Sequence, residues 1–249
     1  MREHREMPLE RYYRNDLARI HHEAFGAYGD SMAPGVLDGL SSLERGSRII
    51  EVGCGSGRLT RELCAAGFDV VATDSSVAML ELAASFAPEA TFGRLTLPED
   101  PIPDCDAIVG VGHPLNYVDS DAEIEASLRA MGSALAAGGV LITDLCGLGY
   151  AAARRGAPPS IWRGEEWLLT CEYEQPDLAT FVRAMSIFTK NVDGSWRRDD
   201  ERHHNTLIDI DRVPAILAEV GVVASISTAC GATILPEGMV LITGVKPTI

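Results

Sequence analysis

The chain reads as an α/β protein: a doubly wound, Rossmann-like, mostly parallel sheet with helices on both faces, a helical N-terminal segment and an inserted antiparallel β cap. Three observations predict this. Short apolar runs alternate with amphipathic stretches between positions 48 and 145, the rhythm of a parallel sheet whose crossovers are helices. A glycine-rich turn, Gly53-Cys54-Gly55-Ser56-Gly57, joins the first run to the first such stretch. Between Trp167 and Ile208 the alternation gives way to three long strand-like runs, with Asp193-Gly194 as a hairpin turn.

Residues Pro8 to Leu43 read as helices broken at Gly26 and Gly29, with Pro34 in the first turn of the second. Arg48 to Val52 is strand-like, and Arg58 to Ala66 is a helix stopped by Gly67. A strand follows at Val70 to Thr73, a helix at Val77 to Phe86 ahead of Pro88, and a strand at Asp106 to Val111. Ile124, Leu128, Met131 and Leu135 then fall on one helical face, with Gly138 and Gly139 as the stop before the strand Val140 to Leu145. The cap strands are expected at Trp167 to Tyr173, Thr180 to Lys190 and Trp196 to Ile208. A helix at Val213 to Val220 and strands at Ala224 to Thr228 and Met239 to Val245 close the chain. The 249 residues therefore read as one domain: a helical lead (1–46), a cofactor-binding core (47–146), the cap (147–208) and a C-terminal helix with the last two strands (209–249).

Thirty-six acidic residues against 21 basic ones give a net charge of -15, which repels polyphosphate and argues against a nucleic-acid partner. Lys190 and Lys246 are the only lysines, so no polybasic tract addresses a membrane, and neutral-to-cationic small molecules suit the overall charge. The six cysteines show no Cys-x-x-Cys pair or zinc spacing and read as reduced thiols, with no metal site expected. Met1 to Glu10 lacks the apolar stretch of a secretory signal, and no run approaches the ~18 apolar residues of a spanning helix. A cytoplasmic monomer or homodimer is the expectation.

The turn after the first strand carries the functional argument. Alternate glycines let the backbone approach a ligand closely. A dinucleotide fingerprint, Gly-x-Gly-x-x-Gly, would need glycine at Arg58 or Thr60, and neither is one. Glu51, just before the glycines, would repel a pyrophosphate but suit the ammonium end of a methionine. Asp74, at the end of the next strand, can accept both hydroxyls of an adenosine ribose, a role common to adenosylmethionine and NAD sites.

On these motifs, across roughly Arg48 to Leu145, the sequence resembles the class I S-adenosylmethionine-dependent methyltransferases. The resemblance implies that Glu51, Gly53, Gly55 and Gly57 hold the methionine end of the cofactor and Asp74 the ribose. Cys54, Ser75, Gly112, His113 and Tyr13 would complete the site. Many relatives place an acid after the third strand for the adenine amino group; here Gly93-Arg94-Leu95 leaves an apolar contact from Leu95.

Methyl transfer requires alignment, exclusion of water and, for some acceptors, removal of a proton. His113, in Val111-Gly112-His113-Pro114-Leu115-Asn116-Tyr117 after the fourth strand, stands where ligands bind in such sheets and is the candidate base. A loop histidine capping backbone groups is the alternative. Tyr117 could orient it, and Asp144, ending the fifth strand, could face the same crevice or serve as a cap. The loop is not the Asn-Pro-Pro-Tyr type of nucleobase amine methyltransferases. The cap, with Trp162, Trp167, Trp196, Arg198, Glu201, His203 and His204, resembles the lids of small-molecule N- and O-methyltransferases of natural-product type. At least half of Arg197 to His204 could be a solvated face. The expected activity is methyl transfer to oxygen or nitrogen of a small acceptor. A non-catalytic cofactor-binding sensor stays open, and a NAD oxidoreductase is disfavoured by the glycine spacing and by the lack of a Tyr-x-x-x-Lys pair.

Overall fold

A computed structural model describes residues 11–248. The part of the helical lead expected from Pro8, and the stretch Met1 to Glu10, lie outside the described residues.

Two helices lead, α1 (Asn15–Ala24) and α2 (Ala27–Gly39). The expected break at Gly29 does not occur and Pro34 does not stand in a first turn, since α2 runs through both. Packing overrides propensity here: Met32, Ala33 and Val36 are buried. Gly29 lies against the next helix, where an added Cβ would stand 3.3 Å from Cβ of Arg58.

The core alternates β1 (Arg48–Val52), α3 (Arg58–Ala66), β2 (Asp69–Asp74), α4 (Val77–Phe86), β3 (Thr91–Arg94), β4 (Cys105–Gly110), α5 (Asp121–Ala134) and β5 (Leu135–Cys146). Helix α3 starts and stops on left-handed glycines, Gly57 and Gly67. Ser76 and Ser120 cap α4 and α5 by accepting from backbone N–H groups. Helix α5 stops at Ala134, earlier than the glycine pair suggested, and Leu135 is already extended opposite Cys105. Leu135 is buried as a strand residue, so apolar periodicity could not separate it from a last helical turn; Gly138 and Gly139 instead sit where the β4–β5 register shifts.

Beyond the core come the cap strands β6 (Ser160–Arg163), β7 (Trp167–Asp177), β8 (Thr180–Lys190) and β9 (Trp196–Thr206). They form an antiparallel sheet in the order β6-β7-β8-β9. Gly147 and Ile208 form a bridge at its base. Helix α6 (Val213–Ala218), β10 (Val223–Ser227), a short hairpin of β11 (Ala229–Cys230) and β12 (Thr233–Ile234), and β13 (Met239–Val245) complete the chain.

The main sheet has seven strands in the order β10-β13-β5-β4-β1-β2-β3. Strands β1 to β5 pair in parallel, and β13 runs antiparallel to both its neighbours. Alternate strand residues feed two cores. Ile49 and Ile142 meet Val36 and Leu63 on one face, whereas Ile50 and Leu141 meet Leu128 and Ile216 on the other. Trp167, Leu169 and Ile187 of the cap pack on Leu17 and Ile20 of α1. Among the described residues no helix is long and apolar enough to cross a membrane.

Candidate active site

The carboxyl ends of β1, β2 and β4 open into a cavity of about 360 Å³, where ligands bind in open parallel sheets. Glu51, Gly53, Cys54 and Gly55 form one wall and Asp74, Ser75 and Leu95 another. Gly112 and Tyr117 come from the loop after β4, and Tyr13 covers them from the lead. Gly57, His113 and Asp144 do not line the cavity.

The glycines serve different ends. Gly53 (φ 68°) lets the β4 loop approach, because a Cβ there would stand 2.5 Å from Cβ of Pro114. Gly55 (φ 53°) would meet no atom within 4 Å, so its missing side chain leaves open cavity, and its N–H donates to Asp74 (2.9 Å). The second carboxylate oxygen of Asp74 accepts from the Ser76 N–H (2.9 Å), which fixes the acid at the strand end. Glu51 is 3% exposed and accepts from the Thr60 hydroxyl (2.6 Å). Burial pushes its carboxyl up to about 8, so it is mostly neutral until a cation arrives.

Of the two readings of Asp144, crevice-facing acid or cap, its surroundings fit a group that holds backbone N–H groups. It is fully buried and accepts from the N–H groups of Gly112 (3.0 Å) and His113 (2.5 Å) and from the Tyr28 hydroxyl (2.7 Å). These bonds hold the β4 loop from below, leaving Asp144 no line to the cavity. His113 is held in a left-handed conformation (φ 51°), and its ring stacks on Tyr117 with centroids 5.6 Å apart. Burial, reinforced by the Arg183 guanidinium, lowers its imidazole to about 3. The ring is thus neutral at physiological pH and a far weaker base than the unperturbed value promised.

Behind Tyr117 lies a polar cluster that sequence reasoning missed in part. The hydroxyls of Tyr13 and Tyr117 are 2.8 Å apart, and Arg183 of β8 donates to the Tyr117 hydroxyl. Glu201 and His203 of β9 are buried while Arg202 and His204 point outward, so from Glu201 onward the charged run is solvated on one face only. Glu201 accepts from the N–H groups of Tyr13 (2.7 Å) and Arg14 (2.9 Å) and lies 2.8 Å from Nε2 of His203. The missed signal was Arg183 itself. It sits on the strand face that carries Phe181, Met185 and Ile187, all buried, an odd place for a cation unless it has work there.

Over residues 49–139 the sequence matches the family described as a methyltransferase domain. That stretch of the chain is thus similar to a methyltransferase domain. Solved structures agree with the fold described above. An S-adenosylmethionine-dependent methyltransferase from Clostridium acetobutylicum shares 17% identity with a TM-score of 0.79, covering 94% of this chain and 99% of that one. The protein DesVI of Streptomyces venezuelae shares 17% identity with a TM-score of 0.73, covering 95% and 100%. A sugar N-methyltransferase from a Streptoalloteichus species shares 19% identity with a TM-score of 0.71, covering 95% and 94%. No protein with a curated description matches the sequence.

Proposed function

We propose that this S-adenosylmethionine-dependent methyltransferase methylates an oxygen or nitrogen of a small molecule held between the β4 loop and the cap sheet. The observation that carries this reading is the bonded pair Tyr13–Tyr117, which lines the cofactor cavity on one side and joins Arg183 of the cap on the other. The sugar N-methyltransferase among the structural neighbours supports an acceptor of this size.

The cavity suits the cofactor's chemistry. Glu51 meets the ammonium, the open space beside Gly55 admits the methionine chain, Asp74 takes the ribose hydroxyls, and Leu95, 8% exposed, packs on the adenine. Arg58 stands on the same wall, 3.2 Å from Asp30, and supplies a cation for the carboxylate. Cys54, Ser75 and Gly112 shape the wall by contact. The cofactor brings an electrophilic methyl carbon whose bond to sulfur breaks as the bond to the acceptor forms, leaving S-adenosylhomocysteine. Tyr13 and Tyr117 orient the attacking atom, and the closed cap excludes water. The acceptor's proton stays with the methylated product and passes to solvent when that product is released, since the His113 ring is too weakly basic to take it. Asp144 and Gly57 act through the loops they hold. The six cysteines are free thiols, which supports work in the cytoplasm, as a monomer or homodimer; the charge of -15 supports a partner other than nucleic acid.

The test is calorimetric titration with S-adenosylmethionine, S-adenosylhomocysteine and NAD, followed by a labelled-methyl screen of amines, phenols and sugars. Micromolar binding of the first two, lost in Asp74→Ala, with no response to NAD is expected. Binding of NAD, or of none of the three, sinks the reading.

A further inference from the structure

The acceptor side of the cluster is cationic in a chain whose overall charge is -15. A continuous line of contacts runs from one arginine to another. The Arg154 guanidinium lies 4.1 Å from the Tyr150 ring centroid, Tyr150 is 6.2 Å from the His113 ring, and His113 stacks on Tyr117 at 5.6 Å. Arg183 lies over that ring at 5.8 Å and donates to its hydroxyl. Six of the eleven arginines described in the lead and cap have acid partners, such as Arg14 with Asp199 (2.6 Å) and Arg202 with Glu174 (2.6 Å). Among the described residues neither Arg183 nor Arg154 has a carboxylate within ion-pair distance. The hydrogen bonds of Arg183 all leave from Nη2, to Tyr117 and to Asn205 (3.4 Å), and its Nε is enclosed without a partner.

The rings described around Arg183 carry no charge to offset its own. Burial raises the Tyr117 hydroxyl well above its ordinary value, so it remains a neutral phenol. Burial, with Arg183 next in weight, lowers His113 to about 3 and His203 to about 2. His21 falls to about 4 for the same reasons. Glu201, the buried acid of the cluster, is engaged by two backbone N–H groups and His203. A guanidinium in so dry a setting is costly unless an anion completes it. Both arginines remain partly exposed, so such an anion can reach them.

Resting on the acceptor reading above, we propose that the acceptor carries an anionic group, a carboxylate or a phosphate, which Arg183 receives together with Arg154 while the atom to be methylated faces Tyr13 and Tyr117. The fork of N–H donors on a guanidinium matches the paired oxygens of either anion. The neutral imidazole of His113, between the two arginines, can add a hydrogen bond without adding charge. This reverses, for the pocket alone, the preference for neutral or cationic molecules that the total charge suggests.

The experiment is calorimetric titration of the full-length protein, saturated with S-adenosylhomocysteine, with benzoate, inorganic phosphate and the neutral isostere benzamide. At least one anion is expected to bind about ten-fold or more tighter than benzamide, as a charge-assisted contact should. Benzoate ahead of phosphate assigns a carboxylate, and the reverse order a phosphate. In Arg183→Gln the preference disappears while S-adenosylhomocysteine still binds; Arg183→Lys keeps part of it. If Arg183→Gln loses the cofactor product as well, Arg154→Gln decides: a weakened preference supports the proposal and an unchanged one overturns it. Anions that bind no better than benzamide, or a preference that survives in a folded Arg183→Gln, also overturn it. Failure of wild-type protein to bind S-adenosylhomocysteine at all would sink the functional reading instead.

Discussion

At the scale of single residues, two titratable groups have been moved far from their ordinary values, and each gives a prediction. Burial holds Glu51 near 8, so at pH 7 about nine-tenths of it is protonated. A ligand ammonium beside it favours the carboxylate, and binding then expels that proton. Titrating S-adenosylmethionine at pH 7 in buffers of different ionisation enthalpy should show more proton release from wild type than from Glu51→Gln, by about half a proton or more. Equal release would remove Glu51 from the ammonium. His113, lowered to about 3 by burial and Arg183, carries no charge from pH 5 upward. His113→Gln should therefore leave the shape of kcat/KM between pH 6 and 8 unchanged and cost less than about ten-fold, below the 10²–10⁴ of a true general base. A loss of about a hundred-fold with a vanished limb near the ordinary histidine value would restore it as the base.

At the scale of elements, the glycine turn was legible as a ligand loop, but the division of labour inside it was not. A Cβ added at Gly53 would stand 2.5 Å from Pro114, a partner 61 residues on in the sequence, whereas Gly55 faces open cavity. Gly53→Ala should therefore lower Tm markedly, by the strain of a left-handed alanine and a clash, roughly 2–4 kcal/mol. Gly55→Ala should cost only about 1 kcal/mol of stability yet weaken S-adenosylhomocysteine binding as strongly. Equal Tm losses would contradict the assignment. The strands and helices from Arg48 to Phe86 were readable because each alternates cleanly between an apolar run and an amphipathic stretch. Helix α2 was not, because Gly29 and Pro34 are breakers that only the contact with α3 and the buried Met32, Ala33 and Val36 can overrule. Asp144 could be read as a crevice acid or as a cap, because its strand ends at the right edge. Only the fold brings the N–H groups of Gly112 and His113 onto it.

For the whole molecule, the sequence could say that a cap exists but not which side chains meet beneath it, since Tyr13, Tyr117, Arg183 and His203 come from four separate stretches. Their meeting makes a dry, cationic interior with consequences for stability. His21 packs edge-on against Tyr13 at 5.2 Å, and its Nδ1 is enclosed without a partner. Burial, then Arg183, lowers its imidazole from 6.5 to about 4. A depressed histidine contributes stability that is fully present above its unfolded value of about 6.5 and is lost as pH falls towards its folded one, because the unfolded chain takes up the proton first. Glu51 and Glu201, raised to about 8 and about 7, pull the opposite way: their contribution is present below about 4.5 and fades as pH rises through the folded values. The wild-type curve mixes both effects, so the useful quantity is the difference between wild type and His21→Gln, in which the two acids cancel. On moving from pH 7.5 to pH 5 the variant should gain about 1–2 kcal/mol relative to wild type in denaturant unfolding, whatever its stability at neutral pH. A difference that does not change with pH would mean that His21 charges freely in the folded protein and that the interior under the cap is wetter, and less hostile to cations, than the arrangement around Arg183 requires.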